Sequence, residues 1–315
     1  MTHRWLRYQR EVFPVVSALV LAGVLAVAAI GYSVLLRDAA SPVPPYLAIA
    51  AIPAGVCAFL FMVQFQIARI LQSYRSVRPQ RIYSPTQAGF VTPQELGILT
   101  VGSGLVQLGL TIPLGWTLLG LMMLIWGFFW LVRHERLLPI PPKARPFLAL
   151  AQRGVAVGLV AVFALGCEWR LSGVYPVTRV GIFLLVCFLN GATAELAMRL
   201  RLPLPKSDAE IDADPESDRP TPATVKALRQ REIVAWLVGL WLMALVALAA
   251  ATLIEVMIPV AIAVLLLLTA AVFVAWRFLS TLSKLWAIAA RSLSQWGGIL
   301  LYLALGILPF YVRSL

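Results

Sequence analysis

The chain has 315 residues, 61% of them hydrophobic and only 13% charged, with a net charge of +12 and a mean hydropathy of +0.87. Soluble domains carry about 25% charged residues, so a water-exposed globular surface is excluded. The positive charge sits in short segments between apolar runs rather than along one face; that pattern orients membrane helices, and no nucleic-acid partner is expected.

A helix needs about 20 apolar residues to cross the hydrocarbon core, and such runs recur along the chain. The first, 13–36, follows Arg4, Arg7 and Arg10. It is longer than the roughly 7–15-residue core of a cleavable signal, so it reads as a retained helix despite Ala39-Ala40 downstream. Further spans are expected at 46–71, 94–112, 114–133, 147–167, 177–198, 232–253, 256–279 and 294–312. Pro113 marks a tight connection where a helix must stop. Pro259 falls in a first turn, where its missing N–H is tolerated. Continuous apolar runs without alternation exclude a barrel. The expected fold is therefore all-α: one polytopic bundle over 1–315 with about nine transmembrane helices, an integral multi-pass protein whose constant partner is the lipid bilayer.

The loop charges fit this count independently. Nine crossings place 21 of the 26 Lys and Arg residues on the amino-terminal side, in 1–12, 69–81, 133–145, 199–231 and 277–291. The opposite side holds Arg37, Arg170, Arg179 and Arg313, and Arg153 lies within a span. The excess predicts a cytoplasmic amino terminus, in a bacterial inner membrane. Two cytoplasmic loops are larger than the rest, 72–93 and 199–231. The second contains Asp208, Glu210, Asp212, Asp214, Glu216 and Asp218 among prolines, and is expected to be mobile.

Polar residues inside spans are expensive in lipid and are read first as functional. On the second span Gln66, Arg69 and Ser73 follow an i, i+3, i+7 spacing and share one face, followed by Arg75, Arg78 and Arg81. The sixth span ends with Asn190, Glu195 and Arg199, the last two spaced to pair on the helix surface. Arg153 either lines an internal cavity or snorkels to the membrane surface. Gly154 and Gly158 form a small-xxx-small pair suited to close helix packing. Trp126, Trp130, Trp276 and Trp286 suit an interfacial belt. Cys57, Cys167 and Cys187 have no paired spacing and, with only His3 and His134 as histidines, no zinc-type set exists. Gly102-Ser103-Gly104 lacks the spacing and preceding strand of a phosphate loop, and no Ser-His-Asp set is present.

An ordered set of landmarks resembles the UbiA-type intramembrane prenyltransferases. They are Glu11-Val12-Phe13-Pro14, Gln66-Ile67-Ala68 through Arg81, Gly89-Phe90-Val91, Glu95-Leu96, Ala144-Arg145-Pro146, Cys167-Glu168-Trp169, and Asn190-Gly191 followed by Glu195. The resemblance extends over about the first 235 residues and implies nine helices with an inside amino terminus. It also implies transfer of an isoprenoid group from a prenyl diphosphate to an acceptor, assisted by Mg²⁺ on an aspartate-rich motif at the end of the second helix. Those carboxylates would fall at Arg69 and Ser73, with further ones near Arg75 and Ser76, and none of these is acidic here. Met198 and Leu200 replace polar surroundings of the second motif.

Two functions follow. One is a prenyltransferase in which Arg69, Arg75, Arg81 and Arg199 grip the diphosphate in place of metal, guanidinium matching phosphate geometry. The other is a catalytically lapsed relative that binds an isoprenoid, quinone or anionic lipid, or supports a membrane partner. In the second the arginines also serve to orient helices and touch anionic headgroups. The candidate substrate or phosphate-binding residues are Gln66, Arg69, Ser73, Arg75, Arg81, Asn190, Glu195 and Arg199. No metal ligand is assigned, although the family pattern expects Mg²⁺. A transporter has little support, since no internal repeat is present.

Overall fold

A computed structural model describes residues 15–37, 46–76, 92–134, 145–174, 178–200, 222–281 and 284–310. Among these, nine helices are long and apolar enough to span a membrane. They are α1 (Val15–Arg37), α2 (Tyr46–Ser76), α3 (Pro93–Thr111), α4 (Trp116–Arg133), α5 (Arg145–Ser172), α6 (Val180–Arg199), α7 (Pro222–Leu253), α8 (Met257–Thr281) and α9 (Lys284–Gly306).

Several boundaries differ from the sequence expectation. The ninth helix starts at Lys284 rather than 294; its first turns carry Lys284 and Arg291, and Arg291 lies on an inward face that hydropathy alone does not credit. The seventh starts at Pro222, inside the segment read as loop. The rest of that segment, including Asp208 to Asp218, lies outside the described residues, as do 77–91 of the first large loop.

Local signals account for the clearer helix ends. Thr92 caps α3 with a full capping box: its hydroxyl accepts from Glu95 N, and the Glu95 carboxylate accepts from Thr92 N at 2.7 Å, with Pro93 at the first helical position. Glu95, a landmark of the resemblance, thus has a plain structural task. The α3–α4 corner is a 3₁₀ turn, Ile112–Leu114, built on Pro113. It closes at Gly115, whose φ of 109° suits only glycine and whose missing Cβ leaves room for the Arg170 guanidinium. Arg170 Nε donates to Leu114 O at 2.8 Å, tying this corner to α5.

The helices form a closed circuit. Neighbours in sequence pack in pairs, α1 also packs against α5, and α9 returns to pack against both α1 and α6. Helices α1, α6 and α9 are the most enclosed, whereas α3 and α4 lie at the periphery with most of their residues outward. Lipid tails are as apolar as leucine, so association rests on close packing and polar contacts rather than on burial.

Small residues set the closest approaches. A Cβ on Gly31 would run into the Gly306 backbone, and one on Gly306 into the Ala28 backbone, so α1 and α9 touch main chain to main chain. Helices α5 and α6 meet likewise: a Cβ on Gly191 would lie 2.5 Å from Arg153 O and 2.9 Å from Gly154 Cα. Of the expected Gly154/Gly158 pair only Gly154 takes part, because a Cβ on Gly158 meets nothing within 4 Å.

Polar fasteners join the same helices. Tyr32 donates to Ala250 O at 3.1 Å, Trp236 Nε1 to Ser294 Oγ at 2.8 Å, and Asn190 Nδ2 to Tyr302 OH at 2.8 Å. Trp126, expected in the interfacial belt, instead donates to buried Gln107 at 3.0 Å, and Gln107 donates to Cys57 O. Trp276 and Trp286 stay near the surface and flank the Arg277 guanidinium at 5.3 and 5.8 Å. The three cysteines are buried and unpaired. At the end of the bundle away from the basic loops, Arg37 pairs with fully buried Glu168, and Ser33 donates to the same carboxylate oxygen at 3.2 Å.

Overpacking a core costs about 1–3 kcal/mol. Gly191→Ala is therefore expected to lower the thermal midpoint of the detergent-purified protein, whereas Gly158→Ala leaves it unchanged or raises it slightly by favouring helix. Equal midpoints for the two variants would contradict the assigned seam.

Candidate functional site

A cavity of about 890 Å³, counted to its open mouth, lies between α1, α2, α5, α6 and α9, with Phe129 of α4 at one side. It sits in the half of the bundle nearer the basic loops, since its lining comes from the starts of α1, α5 and α9 and the ends of α2 and α6. The body is apolar and aromatic. Phe61 and Phe65, one turn apart on α2, both pack against Phe129, and Phe61 meets Phe163 edge-on at 5.2 Å between centroids. Such a wall accepts an apolar chain.

The polar lining is Ser17, Gln66, Arg153, Asn190, Arg291, Ser294 and Gln295; among the described residues it contains two arginines and no carboxylate. Asn190 is buried, its amide nitrogen bound to Tyr302, and its Oδ1 has no hydrogen-bond partner. Gly298 makes room for this side chain, since a Cβ there would run into the Asn190 amide.

Beside the cavity stands a three-helix charge cluster. Arg69 of α2 grips Glu195 of α6 with both terminal nitrogens: Nη1 reaches Oε2, and Nη2 lies 3.0 Å from Oε1. This fork-to-fork geometry is the strongest form of the guanidinium–carboxylate pair. Arg153 of α5 reaches the same Oε2 at 3.4 Å and lies 3.3 Å from Met198 Sδ. Arg153 is thus a cavity residue rather than a snorkelling one. Arg199, the last residue of α6 and four residues from Glu195, adds a third positive charge that attracts the same carboxylate.

The sequence-derived candidates therefore divide. Gln66 and Asn190 line the cavity, and Arg69 and Glu195 form the adjoining pair. Ser73 and Arg75 lie in the last turn of α2, but their side chains are outside the described residues, as is Arg81 entirely. The residues missed were Arg291, Ser294 and Gln295. Their i, i+3, i+4 spacing is a helical-face signal, broken in the sequence reading because a ninth span beginning at 294 leaves Arg291 outside it.

The side chains do not fit a divalent metal. Glu195 spends both oxygens on guanidinium groups, and Arg69 and Arg153 put positive charge where a cation would have to sit. Among the described residues no group of three or more His, Cys, Asp or Glu is placed to hold a metal ion. The arrangement offers an apolar cavity bordered by guanidinium groups, which suits a lipid with an anionic head.

No family model and no curated protein matches this chain. Among solved structures, it is similar to a digeranylgeranylglyceryl phosphate synthase in membranes, a UbiA-type prenyltransferase, with 14% identity, 94% of this chain and 98% of that chain covered, and a TM-score of 0.49.

Removing one partner of a buried ion pair leaves the others uncompensated and costs about 3–5 kcal/mol. Glu195→Gln, which strands two arginines, is expected to lower the thermal midpoint far more than Gln66→Leu, which breaks no ion pair. Comparable midpoints would show that Glu195 does not organise the cluster.

Proposed function

We propose that this protein binds an isoprenoid-type amphiphile with an anionic head, and does so without a divalent metal, as a UbiA-like bundle that has lapsed from metal-assisted transfer. The observation that carries this reading is the occupation of Glu195 by Arg69 and Arg153 directly beside an aromatic cavity. Ionising an allylic diphosphate requires neutralisation of the leaving group's charge, which Mg²⁺ held by carboxylates ordinarily supplies. Among the described residues, the carboxylate beside the cavity, Glu195, is already neutralised.

The apolar chain would lie against Phe61, Phe65 and Phe129, with the head near Arg153 and Arg291. Arginine has five N–H donors, and Arg153 directs only Nη1 to Glu195, leaving donors for phosphate oxygens. The excess of basic loops on the cavity's side supports a cytoplasmic mouth. Labelling of a cysteine introduced near residue 210 from outside intact cells would contradict that orientation.

A second reading is retained transferase activity, with arginines standing in for metal. The ordered landmarks running through Asn190 and Glu195 favour it.

Farnesyl diphosphate binding to the full-length protein in nanodiscs separates the two. Saturable binding unchanged by EDTA, weakened about tenfold by Arg153→Gln and accompanied by no prenylated product, is expected; loss of one charge-assisted contact is worth about that factor. A Mg²⁺ requirement would overturn the metal-free site. Product formed in EDTA would establish the second reading.

A further inference from the structure

A second compartment opens on the lipid-facing side of the bundle. It is a groove of about 950 Å³, counted to its open side, between α2, α3 and α4. Leu71, Val101, Leu105, Leu108, Trp126 and Trp130 make its apolar walls. Val101 and Leu105 are each 64% exposed and Trp130 58%, so the groove is reached from the bilayer.

Two polar atoms in this wall lack a partner, Arg133 Nε toward the end of α4 and Gln64 Oε1 deeper in the groove. Gln64 lines the groove, is only 4% exposed, and its Oε1 has no hydrogen bond. The neighbouring contacts fix which end of the amide is left over. Ser103 Oγ gives its hydrogen to Thr100 O at 2.9 Å, so it accepts from Gln64 Nε2 at 2.9 Å. The oxygen is thereby left over. The other buried amide nearby, Gln107, is satisfied at both ends, because the Trp126 N–H is donor only and claims its oxygen while Cys57 O takes its nitrogen.

A buried acceptor without a donor costs about 1–3 kcal/mol, and the bilayer core has no bulk water to relieve it. The missing group is therefore a hydrogen-bond donor delivered on an apolar body. An anionic headgroup does not meet this need. It would engage Arg133, which also lines the groove but lies seven residues along α4 from Trp126, about 10 Å nearer the membrane surface at 1.5 Å per residue.

We propose that the α2–α3–α4 groove is a binding site for a neutral lipid carrying a hydroxyl group, which donates to Gln64 Oε1 while its apolar body lies along α3 and α4. This site is distinct from the central cavity: Gln64 does not line that cavity, and Phe129 is the wall the two share. Sites built to hydrogen-bond a hydroxyl reject analogues that lack the donor, which supplies the test.

A diazirine-bearing dodecanol is photo-crosslinked to the full-length protein in nanodiscs, the labelled peptides are mapped, and unlabelled dodecan-1-ol and methyl dodecyl ether are used as competitors. Labelling within 93–133 is expected, with the alcohol competing at about tenfold lower concentration than the ether. Gln64→Leu should abolish that difference. Leu105→Trp, which fills the groove at a lipid-exposed position and does not depend on the Gln64 variant folding, should remove the labelling. Labelling elsewhere, or labelling that persists in Leu105→Trp, overturns the site. Equal competition by the ether means that a trapped water satisfies Gln64, and overturns the proposal. A preference for the alcohol that survives in Gln64→Leu overturns the role of the amide.

Discussion

Glu195 holds the basic end of the bundle together. A carboxylate in the membrane-embedded half of a helix is tolerated only when neutralised, and here the neutralising groups come from two other helices, α2 and α5. That requirement fixes how α6 is turned relative to both. It also faces Asn190, just over one turn away, toward the cavity and Tyr302 of α9. The same pairing removes the carboxylate from metal chemistry, so the contact that stabilises the bundle also decides what the cavity can do. The cost of keeping charge inside the membrane is met by pairing the carboxylate with guanidinium groups from neighbouring helices.

A second pair stands at the far end of the bundle. Arg37 and Glu168 join α1 to α5, with Ser33 donating into the same carboxylate. The two charge clusters thus bracket α5 at its two ends, and the glycine contacts Gly191–Gly154 and Gly31–Gly306 bring the backbones together between them. Interhelical hydrogen bonds in membranes average only about 0.6 kcal/mol each. Specificity of packing therefore comes from the combination of close backbone approach and charge pairs that admit few alternatives.

Much of the architecture was legible in the residue order because membrane spans declare themselves by length and apolarity, and Pro113 and Pro259 sit where their chemistry predicts. Legibility failed where a helix carries polar residues for an internal reason. Lys284 and Arg291 lower the apparent hydropathy at the start of α9 and make its first turns look like loop, although Arg291 faces the cavity. Pairings distant in sequence were also beyond reach. Residue spacing pairs Glu195 with Arg199 on its own helix, but gives no sign of the further partners 126 and 42 residues away. Arg37–Glu168 has a separation of 131 and left no local trace. Trp126 was assigned to the membrane surface by its position alone, and only the tertiary structure reveals Gln107 behind it.

The main-chain contact between Gly31 and Gly306 bears on how deep a guest can reach. The central cavity begins at the level of Ser17 on α1, and fourteen residues of helix advance about 21 Å. At that depth α1 and α9 leave no room even for a methyl group between them. The seam closes the first and last helices against each other at that level, so nothing as wide as a hydrocarbon chain passes between them there.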